Sequence, residues 1–204
     1  MMTLSDRQPI IVADAGPLIR LAAAGLLDTM RGLNRRIVLV DRVEAEVTGD
    51  LSKPFAREVA DWLAAMGDAI LRVQTIVGVG IDALRHAQRT PDQDKLLKQS
   101  LRDSGELAMR QFVGHWRPSD TSSAIVVYED QRVAALFVAA DFPVTIMTTR
   151  KFAELLGDWG VNVDASRALE GIAALYDLKP ALIAEINANT PADLRMLPQR
   201  EPGQ

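Results

Sequence analysis

The sequence predicts an α/β fold of three layers, with a central, mostly parallel five-stranded sheet between layers of helices. Two observations carry this. Short apolar runs rich in Ile and Val alternate with amphipathic segments of helical period, the pattern of a sheet buried on both faces. Acidic residues stand at or just after the carboxyl ends of several of those runs, where open parallel sheets build their sites.

The elements follow in order. Ile10 to Ala13 is the first strand, and Pro17 opens a helix expected to reach about Arg31, with Leu18, Leu21, Ala22 and Leu26 on one face. Arg36 to Val40 is the second strand, followed by a short helix over Asp41 to Val47. Lys53 to Met66 is an amphipathic helix that turns Phe55, Val59, Trp62, Leu63 and Met66 inward. Ala69 to Ile76 alternates as a strand, and Val77 to Arg102 is polar and suits short helices. "GELAMRQFVGHW" is helical, Ser123 to Tyr128 is a buried strand, and "QRVAALFVAA" is helical. Pro143 to Thr148 is the last strand, and "RKFAELLGDWG" is a helix ending at a glycine. Two more helices are expected near Ser166 to Tyr176 and Pro180 to Asn187, before a Pro-rich, loose tail from Thr190. Residues 1–160 thus hold the sheet, and 161–204 add C-terminal helices to the same domain.

Composition narrows the function. The chain has 204 residues, 48% hydrophobic and 25% charged, enough for a sizeable core. It has no cysteine, which removes disulfides and thiolate zinc sites and suits a cytoplasmic protein. "MMTLSDRQP" does not read as a signal peptide, and no apolar run is long enough for a membrane span. The net charge of −4 gives no overall basic footprint for nucleic acid; contact with a phosphate backbone would need local patches. "RGLNRR" (Arg31, Arg35, Arg36) and Arg150 with Lys151 are the candidates, although such charges usually serve only as solvated surface. Trp62, Trp116 and Trp159 read as packing residues, although Trp116 beside Arg117 could stack on a base. His86 and His115 lack partners at ligand spacing.

The acids are the informative residues. Asp14 directly follows an apolar strand, where a carboxylate is costly to desolvate without a partner. Capping is its ordinary explanation, but Gly16 stands closer to the expected cap. Glu46 flanks the inward Val43–Val47 stripe. Asp41 with Glu44, and Asp103 with Glu106, have the D-x-x-E spacing of a capping box, which competes with any chemical role. Glu129 and Asp130 follow "AIVVY", where they could equally favour a helix dipole. Oxygen-only ligands suit a hard cation such as Mg²⁺ or Mn²⁺, and such ions assist phosphodiester hydrolysis. A Gly-rich phosphate loop is missing after the first strand. Gly16 stands where a haloacid-dehalogenase-like enzyme would need a second aspartate.

Five segments together resemble the PIN-domain family: "VADAGPLIRLAAAGLLD", "VLVDRVEAEV", "DSGELAM", "VVYEDQRVAAL" and "VTIMTTRKFAELL". They span roughly Ile10 to Leu156 in the family's order. The resemblance implies a ribonuclease that cuts RNA with Mg²⁺ or Mn²⁺, as do toxins of toxin–antitoxin pairs. It implies metal ligation by Asp14, Glu46, one of Asp103 and Glu106, and one of Glu129 and Asp130. Glu106 fits the family's G-E-x-x-A variant, and Asp14, Glu46, Glu106 and Asp130 make up the implied catalytic set. Thr148 and Thr149 would touch phosphate or water, beside Arg150 and Lys151. An antitoxin protein and a second copy of the chain are partners the family allows. Two departures stand out: "YEDQR" replaces the family's threonine and aspartate after the fourth strand, and Gly78 to Ser100 is long enough to reshape a substrate groove. A PIN-like scaffold that binds RNA or protein without cutting is the alternative.

Overall fold

The structure, a computed structural model, describes residues 9–33, 35–87, 90–116, 123–129, 143–162 and 164–173. Strands β1 (Ile10–Ala13), β2 (Ile37–Val40), β3 (Ile70–Val73), β4 (Ala124–Tyr128) and β5 (Val144–Thr148) form one sheet in the order β3-β2-β1-β4-β5. Every pairing is parallel, so the expected mostly parallel sheet is entirely so. β1 sits at its centre. All residues of β1, β2 and β4 are buried, because helices flank the sheet; β-branched side chains suit such strands on both faces.

The strand order reverses direction between β1 and β4, the switch point at whose carboxyl ends open parallel sheets build their sites. The backbone N–H of Asp14 donates to the Val127 carbonyl at 3.0 Å, fixing the end of β1 against β4.

The helices are α1 (Ala15–Ala23), α2 (Thr29–Gly32), α3 (Asp41–Thr48), α4 (Ala56–Met66), α5 (Ile76–His86), α6 (Pro91–Arg102), α7 (Ser104–His115), α8 (Thr149–Asp158) and α9 (Ala165–Ala173). Leu18, Leu21, Val43, Val59, Met109, Phe112, Phe152 and Leu156 bring the helices onto one core with the strands. α9 packs on α8 and α1.

Several expectations change. The helix expected from Pro17 to Arg31 starts at Ala15 and stops at Ala23, because Gly25 takes φ 65° and turns the chain before α2. Phe55 is only half-buried and precedes α4 in a left-handed conformation, so that helix begins at Ala56. The third strand ends at Val73: Thr75 caps α5 by accepting from the Gly78 N–H, and Ile76 is 78% exposed as the first helical residue. The helices expected over "QRVAALFVAA" and Pro180 to Asn187, and the tail, lie outside the described residues.

Asp41 is structural. It is the first residue of α3, and the expected capping box with Glu44 does not form. Its carboxylate instead accepts from the Arg42 N–H (2.8 Å), the Thr75 N–H (2.9 Å) and the Thr75 hydroxyl (2.8 Å), clamping α3 to the start of α5. Gly78 makes this possible, since a Cβ there would stand 1.8 Å from Asp41 Oδ2. Gly78→Ala is therefore expected to force the clamp open and cost about 2–3 kcal/mol, lowering Tm by roughly 5–10 °C. Gly80→Ala in the same helix meets nothing within 4 Å and should be neutral or slightly stabilising. Thermal melting followed by circular dichroism compares the two; equal Tm values would show that the clamp does not hold α5.

Candidate functional site

Asp14 occupies the N-cap position of α1, two residues earlier than the sequence suggested, yet its side chain makes no capping hydrogen bond. It is therefore a carboxylate delivered to the sheet's carboxyl edge without the usual structural use. Its pKa is raised from 3.8 to about 7, first by burial and then by the charges of Glu46, Glu106 and Glu129, against a lowering contribution from the Ala15 N–H. Three other acids, from α3, α7 and the end of β4, thus act electrostatically on this one group.

Gly105, buried in the first turn of α7, shows how close two of them come. A Cβ at Gly105 would lie 3.3 Å from Glu46 Oε2 and 3.6 Å from Asp14 Oδ1. The two carboxylates face the same small space beside Gly105. Glu46 as a residue is exposed, but its carboxyl end turns toward this buried helix start. Its pKa is also raised, chiefly by desolvation, with Lys53 and Arg42 opposing. Val43 and Val47 are buried beside it, as the stripe predicted.

Glu129 lies against Gly16, where a Cβ would be 3.3 Å from Glu129 Cγ. The Thr149 hydroxyl donates to its Oε1, and Arg20 Nε stands 3.4 Å from Oε2. Burial raises its pKa more than Thr149 and Arg20 lower it. Of the Asp103–Glu106 pair, Glu106 is half-buried and acts on Asp14, whereas Asp103 is exposed. Asp103 is the N-cap of α7 but its side chain caps nothing. Asp130 lies outside the described residues.

The expected substrate residues have internal partners. Thr148 caps α8 by accepting from the Lys151 N–H at 3.2 Å, and Thr149 is bound to Glu129. Arg150 pairs with Glu154 and Glu170, and Lys151 with Glu154. In the "RGLNRR" patch, Arg35 lies over the Trp159 ring at 4.1 Å, and Arg31 Nε approaches Met66 Sδ at 3.4 Å. Trp116 packs on Phe112, with ring centroids 4.8 Å apart.

A second feature was not legible in the sequence. A groove of about 360 Å³ beside Glu46 is lined by Arg42, Lys53, Arg85, Arg102 and Ser104. These cations come from α3, the α3–α4 loop, α5 and α6, and no run or period joins them in the chain.

The donor chemistry around Asp14 fits a hard divalent cation: carboxylate oxygens only, two of them facing one space. Among the described residues, no group of three or more acids or histidines stands at metal-holding spacing; Asp14 and Glu46 come together over Gly105, and Glu129 is turned to Arg20 and Thr149. Among the same residues, no helix is long and apolar enough to cross a membrane. In comparison with known proteins, the chain matches no family model, no curated protein and no solved structure.

Proposed function

We propose that the chain is a metal-dependent ribonuclease of the PIN type, a class that includes toxins of toxin–antitoxin pairs, acting in the cytoplasm. The observation that carries this reading is the state of Asp14: a buried carboxylate at the switch point, with no capping bond, its pKa raised to about 7 by burial and by Glu46, Glu106 and Glu129. A purely structural acid would be paired or exposed. Acids that crowd one another are tolerated at a site that uses a cation or a shared proton.

Asp14 and Glu46 would hold Mg²⁺ or Mn²⁺, with Glu106 and Asp130 completing the set. A bound divalent ion would activate water and offset charge on a phosphodiester. The chain's own contribution is orientation. β1 fixes Asp14, α3 turns Glu46 over Gly105, and Thr149 with Arg20 holds Glu129 beside Asp14.

Purified protein incubated with a mixed RNA pool and Mn²⁺ tests the reading. Cleavage that disappears with EDTA and in Asp14→Asn is expected; cleavage that survives in Asp14→Asn, or none in any condition, would reject it. A PIN-like scaffold that binds without cutting is the second reading. It is favoured by the engagement of Glu129 with Arg20 and Thr149, which gives that acid protein partners of its own.

A further inference from the structure

We propose that the groove walled by Arg42, Lys53, Arg85 and Arg102 holds backbone phosphates of the RNA strand beside the bond that is cut. This rests on the ribonuclease reading for the identity of the strand, but the groove itself is a separate feature. In a chain of net charge −4, four cations from four segments surround one concave space. Arg42 is its floor: the residue is 5% exposed, with Nε 3.5 Å from Ser104 Oγ and Nη1 3.7 Å from Asp82. Both contacts are long, so a guanidinium with five donors keeps capacity for another acceptor. Asp82 also stands 3.8 Å from Arg85.

Two other acids line the groove: Glu46 acts on Lys53 and Arg42, and Asp50 on Lys53, so the four cations outnumber the two lining acids. The Asp50 carboxylate is turned into its own loop, accepting from the Ser52 N–H (3.1 Å) and hydroxyl (2.6 Å). Glu46 forms the wall shared with the Asp14 space. A strand lying in the groove therefore leads past Glu46 toward Asp14. The volume of about 360 Å³ equals roughly a dozen waters at about 30 Å³ each, room for a phosphate with its ribose rather than a lone ion. The expected basic patches are engaged away from this groove: Arg150 and Lys151 with Glu154, and Arg35 with Trp159. Continuity with the acid site favours a nucleic-acid strand over an acidic protein segment.

The test is anisotropy of a short, labelled single-stranded RNA in EDTA, using Asp14→Asn protein with and without Lys53→Gln and Arg102→Gln. Both of these positions are exposed, so the fold should survive, and circular dichroism checks it. Removing two phosphate contacts should weaken binding about tenfold or more near 0.1 M NaCl and flatten the salt dependence by about 1.4 in log–log slope. Arg167→Gln on α9, also exposed, should change neither beyond the experimental error. Unchanged affinity and slope in the double variant, or equal loss in Arg167→Gln, would overturn the proposal. So would poly-glutamate binding that the double variant loses while RNA binding persists. The two claims fail separately. Lost RNA binding in the double variant, with no cleavage by unmutated protein in Mn²⁺, leaves the groove standing and rejects the ribonuclease. Asp14-dependent cleavage with unchanged RNA binding in the double variant does the reverse.

Discussion

Asp14→Asn is expected to make the metal-free protein more stable at pH 8 while abolishing cleavage. The sign follows from linkage. The folded pKa of Asp14 is raised from 3.8 to about 7, so between these values the native state binds more protons than the unfolded chain. Stability from this group is complete below about pH 4, falls as pH rises, and is lost above about pH 7. At about 1.4 kcal/mol per pKa unit, the ionised side chain costs the fold at most on the order of 4 kcal/mol at pH 8. Asparagine keeps the shape and removes the charge. Recovering about half of that cost would raise Tm by roughly 4–8 °C for a chain of this size. At pH 4 the two proteins should melt nearly together, because Asp14 is then neutral. Melting curves across this range check the prediction; a variant that is less stable at pH 8 would mean that Asp14 already has a stabilising partner. Loss of function together with gained stability is the mark of a group retained for chemistry.

The second large effect is a steep pH dependence of metal binding. A cation must displace the proton from Asp14, so affinity should fall about tenfold for each pH unit below 7. Glu46 and Glu129, both raised from the ordinary glutamate value chiefly by burial, act in the same direction. Between pH 7 and pH 5 the apparent Kd for Mn²⁺ should weaken by roughly a hundredfold or more. An exposed pair of ordinary carboxylates would titrate near pH 4 and show almost no change over this interval.

Much of the fold was legible because its strands are continuous apolar runs. "IIVA" and "AIVVY" read as strands buried on both faces, and both are wholly buried next to each other. The boundaries that shifted depend on single residues. Gly25 interrupts a helical pattern that continues on both sides of it, and only its positive φ shows that the chain turns. Ile76 prolongs the alternation of β3 on paper, but Thr75 caps α5 and ends the strand.

Asp14 was legible as an acid that does not cap through its side chain, and Glu46 as an acid beside a buried stripe. The D-x-x-E spacing could not separate Asp103 from Glu106, since the choice depends on which side of α7 meets α3. The basic groove had no signal in the chain: Arg42, Lys53, Arg85 and Arg102 are distant in sequence and meet only through the placement of α3, α5 and α6. Arg35 and Arg150, prominent in basic clusters of the sequence, are held by Trp159, Glu154 and Glu170.

The central claim is that Asp14 and Glu46 build a divalent-metal centre at the switch point of the sheet. Calorimetric titration of Mn²⁺ into the protein and its Asp14→Asn variant, at pH 8 and pH 6, tests it most directly. Saturable binding at pH 8, about tenfold weaker at pH 6 and absent from Asp14→Asn, is the predicted result. Equal binding by the variant, or no binding by either protein, would contradict it.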